Sequence, residues 1–139
     1  MGGKRLVVCI AGGHSPAAVE GQFLFDQYWV TCYDNRDPTD GYSSRLNLVM
    51  ETEWLPDSEN INYDFVKLVI AKADTKVMVC AAADISKCNT VVDELRKQVD
   101  LFERSGEGEE AYIFSIYCFD DHKFHHWVKR GTNPPTSFP

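Results

Sequence analysis

Apolar and polar positions change period several times along the chain, and each change predicts an element. Residues 4–10 are apolar and β-branched and stop at Ala11-Gly12-Gly13, which predicts a strand or a buried N-terminal run. Ser15-Pro16 reads as an N-cap and first helical residue, opening a short helix through Ala17, Ala18 and Glu20 to Gly21. Residues 23–33 are rich in aromatic and β-branched side chains and favour an extended strand. The turn formers of residues 34–41 then predict a long hairpin loop. The return strand, about residues 45–54, alternates: Leu46, Leu48, Met50, Thr52 and Trp54 share one face, and Asn47, Val49, Glu51 and Glu53 share the other.

Beyond the polar stretch 56–60, Ile61, Phe65, Leu68 and Val69 recur at helical spacing up to about Ala73. Residues 76–82 read as a continuously apolar strand of the kind covered on both faces. A second helix is expected over 86–104, with Val91, Leu95, Val99 and Phe102 as its stripe, broken by Ser105-Gly106-Glu107-Gly108-Glu109. Residues 111–119 and 124–129 give two more strands, and the Pro-rich tail 131–139 is expected to be irregular. The order is that of an α/β fold, a mixed central sheet flanked by helices, in one domain over residues 1–130.

With 139 residues the chain can bury a core large enough to fold without staples. No apolar run reaches the roughly 18 residues of a membrane span. Leu6 stands where a myristoylation pattern wants Ser or Thr. Cys9, Cys32, Cys80, Cys88 and Cys118 are odd in number and contain no Cys-x-x-Cys, so they read as buried free thiols of a reducing compartment, the cytoplasm. A net charge of −7 opposes nonspecific polyanion binding unless cations neutralise some carboxylates.

Glu51-Thr52-Glu53 puts two carboxylates about 7 Å apart on one strand face, where they can ligate a divalent cation or divide acid and base roles. Taken alone, such a pair is more often a solvated strand face. Folding the hairpin about residues 38–40 brings Glu51 opposite a residue between 25 and 29, and Asp26 falls in that window. Asp26 is the one acidic residue in Phe23-Leu24-Phe25-Asp26-Gln27-Tyr28-Trp29-Val30, where an uncompensated carboxylate is costly and a metal would compensate it.

Phe25-Asp26-Gln27-Tyr28-Trp29, Leu48-Val49-Met50-Glu51-Thr52-Glu53-Trp54, Asp64-Phe65-Val66-Lys67-Leu68 and Lys76-Val77-Met78-Val79 together resemble small members of the PD-(D/E)XK, or restriction-endonuclease-like, nuclease superfamily. The resemblance spans roughly residues 20–128. It implies a restriction-endonuclease-like core and a Mg²⁺- or Mn²⁺-dependent nuclease, with Asp26 and Glu51 as metal ligands and Glu53 ordering the attacking water. It implies nucleic acid as substrate, DNA ahead of RNA, and a homodimer or a part in a larger system. Glu53 stands where the family's triplet carries Lys, so a noncatalytic interaction module or acidic decoy is the alternative. Lys67 is a candidate for a migrated lysine, yet it lies about 200° around the helix from Phe65, which favours a surface role. Glu20 is a candidate for the helix Glu that many members add.

Asp34, Asp37 and Asp40 are accounted for as turn residues, and Gly12-Gly13-His14-Ser15 lacks the ending of a phosphate loop. His122, His125 and His126 have no cysteine at zinc spacing and read as structural or surface residues. With Lys123, Lys129 and Arg130 around Phe124 and Trp127, they form the one basic-aromatic cluster, either a nucleic-acid patch or a solvated edge strand.

Overall fold

The computed structural model describes residues 4–10, 25–33, 43–102 and 110–139. The short helix over 16–21, Glu20, the loop 34–41 and the glycine-rich break 105–109 lie outside the described residues.

Among the described residues, seven strands form one sheet whose spatial order follows the chain: β1 Lys4–Ile10, β2 Gln27–Tyr33, β3 Ser43–Glu53, β4 Ala73–Ala82, β5 Ala111–Cys118, β6 Lys123–Arg130 and β7 Thr136–Phe138. Helix α1, Ser58–Ile70, connects β3 to β4, and α2, Ile85–Leu101, connects β4 to β5. β3, β4 and β5 are parallel, as helical crossovers require. The remaining neighbours are antiparallel, so the sheet is mixed.

Both helices pack on the same face. α1 lies over β3 and β4, α2 over β4, β5 and β6, and the helices touch each other, with Gln98 Nε2 donating to Asn62 Oδ1 at 2.6 Å. Each begins at an aspartate whose carboxylate accepts an orphan backbone N–H: Asp57 from Glu59 at 2.9 Å and Asp84 from Lys87 at 2.9 Å. Between sheet and helices lie Val49, Ile61, Phe65, Leu68, Met78, Cys80, Leu95, Val99, Phe114 and Ile116, all buried.

Several sequence expectations need correction. β4 is not covered on both faces: Met78 and Cys80 are buried under the helices, whereas Val77 and Val79 are half-buried on the other face. The first helix stops at Ile70 because the chain must extend from Ala73 to pair with Leu46. In α2 the buried stripe is Cys88, Val92, Leu95 and Val99; Val91 is only half-buried and Phe102 is exposed. The tail is not wholly irregular, since Thr136–Phe138 pairs with β6. β6 is therefore not an edge strand.

Among the described residues, two lysines, Lys76 and Lys129, are fully buried where periodicity predicts apolar residues or surface charge. Lys76 Nζ donates to Val69 O on the last turn of α1 at 3.1 Å, to Glu110 Oε2 at 2.8 Å and to Tyr112 Oη at 3.1 Å. Lys129 Nζ pairs with Asp100 Oδ1 at 2.9 Å and donates to Gly131 O at 2.9 Å and Asn133 O at 3.1 Å. Its burial removes it from the basic-aromatic cluster read on β6. Each ammonium has three protein partners, which a buried charge needs to be tolerable.

Candidate functional site

The face of β3 carrying Val49 and Glu51 is the one that α1 covers. Glu51 is 2% exposed, so the carboxylate that alternation allows to face solvent instead lies beneath a helix. The hairpin register pairs Gln27 with Met50, and one step further along the ladder brings Asp26 opposite Glu51. Asp26 is fixed by two bonds to a single oxygen: Oδ2 accepts from Thr52 N at 2.8 Å and from Thr52 Oγ1 at 2.7 Å. Oδ1 remains as the oxygen that can face a cation.

Lys67 completes the group. Its Nζ lies 3.1 Å from Glu51 Oε1 and 2.8 Å from Asp64 Oδ1, one turn earlier on α1. The Glu51 contact has ion-pair distance but poor alignment, because Oε1 is buried without a geometrically sound hydrogen bond. Burial pushes the Glu51 carboxyl up to about 7; the Lys67 ammonium pulls it down, and the Asp26 and Asp64 carboxylates push it up. For Lys67, burial acts downward, but the nearby Asp64 and Glu51 carboxylates outweigh this and raise its pKa. A carboxyl poised near neutrality beside a charged ammonium can change protonation at physiological pH.

Glu53 is turned elsewhere, with Oε1 accepting from Leu55 N at 2.8 Å. It shares the strand face with Glu51 but has no ion pair among the described residues. The helical-wheel angle thus misjudged Lys67: its flexible four-carbon stem carries the ammonium around the flank of α1 to the strand below.

A second group lies where β5 turns into β6. One ligand atom from each of Cys118, Asp121 and His125 fits within 4.8 Å of the others. His125 Nε2 is 2.8 Å from Asp121 Oδ2. Desolvation at Asp121 acts upward, but His125, Cys118 and the Lys123 amide together outweigh it and hold the carboxyl below its usual range. Zinc spacing counted over Cys and His alone misses this group; admitting Asp as a ligand reveals Cys-x₂-Asp-x₃-His in the sequence. Cys80, Cys88 and Cys118 are free and buried, as expected of reduced thiols; the side chains of Cys9 and Cys32 lie outside the described set.

Comparison of the chain with protein families, curated proteins and solved structures finds no match. Among the described residues, no helix is long and apolar enough to cross a membrane.

Proposed function

We propose that the chain is a divalent-metal-dependent nuclease that hydrolyses phosphodiester bonds of nucleic acid, DNA ahead of RNA, on a restriction-endonuclease-like core. The observation that carries this reading is Glu51 Oε1, a carboxylate oxygen buried without a sound hydrogen bond on the strand adjoining Asp26. A buried carboxylate oxygen whose contact with the Lys67 ammonium is poorly aligned is incompletely compensated, and the oxygen-only pair of Asp26 and Glu51 suits Mg²⁺ or Mn²⁺. Asp26 and Glu51 would hold the ion, which when bound supplies an activated water and neutralises charge on phosphate. Thr52 orients Asp26 through both of its donors. Lys67, steadied by Asp64, takes the water-orienting role that the sequence assigned to Glu53, and keeps its proton at Nζ while doing so. The reading places the protein in the cytoplasm and admits a homodimer.

The Lys67–Glu51 pair also favours a second reading, a noncatalytic module in which the ammonium itself neutralises the carboxylate. Incubation of the purified chain with DNA and RNA, with Mg²⁺ or Mn²⁺, separates the two. The nuclease reading expects cleavage that stops on chelation, is lost in Asp26→Ala and Glu51→Ala, and falls roughly 10²–10³-fold in Lys67→Met, the range for losing one preorganised hydrogen-bond donor. Cleavage in neither nucleic acid with either ion would leave the noncatalytic module.

A further inference from the structure

We propose that Cys118, Asp121 and His125 form a second metal centre, for a zinc-type divalent cation, with water completing the coordination. The inference is independent of the Asp26–Glu51 reading and rests on a different set of atoms.

A thiol, a carboxylate and an imidazole within 4.8 Å of one another make a mixed S, O, N donor set. Mg²⁺ and Ca²⁺ take oxygen ligands, whereas thiolate with imidazole selects zinc and its neighbours in softness. Ligand atoms around a tetrahedral zinc ion stand roughly 3.3–3.8 Å apart, given Zn–S near 2.3 Å and Zn–N near 2.0 Å. The spacing of up to 4.8 Å thus asks for a contraction of about 1.5 Å at most, and the 2.8 Å His125–Asp121 pair for a widening of about 0.5 Å. Asp121 is already drawn to one of the others, its Oδ2 lying 2.8 Å from His125 Nε2. A cation would replace the proton that now links His125 to Asp121.

The turn is built to hold this arrangement. Phe119 N donates to Ala82 O at 3.0 Å and Asp120 N to Ala83 O at 3.1 Å, tying the end of β5 to the end of β4. Asp121 Oδ1 accepts from Lys123 N at 3.2 Å. His122 closes the turn at φ 57°, a left-handed conformation uncommon for a residue other than glycine. Accessibility is graded: Cys118 is 1% exposed, whereas the side chains of His125 and Asp121 are 30% and 40% exposed. The fourth position therefore opens to solvent. The site also lies beyond the carboxyl ends of parallel strands β4 and β5, where open α/β sheets place their ligands. Cys88, near Cys118 on the first turn of α2, lies outside the ligand group.

The test is a Co²⁺ titration of the reduced full chain, followed by visible and near-ultraviolet absorption, with Zn²⁺ competing. One equivalent of Co²⁺ should give a thiolate charge-transfer band and the intense d–d bands of a four-coordinate ion, and Zn²⁺ should abolish both. Cys118→Ser and His125→Gln should lose the charge-transfer band or weaken binding at least tenfold. Cys88→Ala and Glu51→Gln should retain the full spectrum. Asp121→Asn, on the exposed turn, keeps the test decisive if the buried Cys118 variant fails to fold; it should weaken Co²⁺ binding at least tenfold. No charge-transfer band in the wild type, an undiminished one in both His125→Gln and Asp121→Asn, or its loss in Cys88→Ala would overturn the assignment.

Discussion

Lys67 Nζ stands 3.1 Å from Glu51 Oε1, yet that buried oxygen has no well-aligned hydrogen bond. The pair is close enough for attraction and too poorly directed to compensate for desolvation, which is why the Glu51 carboxyl rises to about 7. Between the ordinary value of 4.5 and about 7, the folded chain holds a proton that the unfolded chain has released. Stability therefore falls as pH rises through that window and levels off above it. Glu51→Gln should melt higher than wild type at about pH 8, by roughly 1–3 kcal/mol, and the gap should close below about pH 4.5. Thermal denaturation of both proteins across pH checks this; a gap independent of pH would contradict it.

Asp26 is held by the Thr52 backbone and side chain, so its removal leaves a donor orphaned. Asp26→Ala should cost about 1–3 kcal/mol in denaturant unfolding without metal, whereas Asp26→Asn, which keeps an acceptor, should stay within about 1 kcal/mol of wild type. Equal losses in both variants would show that the Thr52 contacts contribute little.

Lys76 joins the end of α1 to β4, Glu110 and Tyr112 through one ammonium. Lys76→Ala should be among the most damaging single changes, about 3–5 kcal/mol, because it strands a part-buried carboxylate and leaves a void. Lys76→Met should recover part of that loss by refilling the volume. Urea midpoints for the three proteins decide the order.

Lys129 does for the C-terminal segment what Lys76 does for α1. Its bonds to Gly131 O and Asn133 O fix the turn that returns Thr136–Phe138 to β6. In Lys129→Met, amide exchange at residues 136–138 should accelerate relative to residues 113–116 in the sheet interior. Unchanged relative protection would show that β7 is held by its own ladder.

The hairpin was legible in the sequence because strict alternation from Leu46 to Trp54 leaves little freedom in register, and that is enough to bring Asp26 opposite Glu51. The parallel β3–α1–β4 crossover followed from helical spacing between two strand patterns. Which face of β3 the helix covers was not legible, since Leu46, Leu48 and Met50 make the other face look like the core side. Lys67, Lys76 and Lys129 escaped for a common reason: a long side chain's end is set by partners remote in sequence, such as Glu51, Glu110 and Asp100, rather than by its position on a wheel or pleat. Residues 136–138 carry too few positions to show a period. Cys118, Asp121 and His125 meet only through the geometry of a tight turn.

Binding of Mn²⁺ by electron paramagnetic resonance, with Cys118→Ser as background so that only the Asp26–Glu51 pair is read, tests the central claim most directly. The account predicts that one equivalent of free Mn²⁺ signal disappears on titration into this protein, that adding Asp26→Asn or Glu51→Gln abolishes the uptake, and that adding Glu53→Gln leaves it within about twofold. Uptake that is absent from the background protein, or unchanged by Asp26→Asn and Glu51→Gln together, would contradict it.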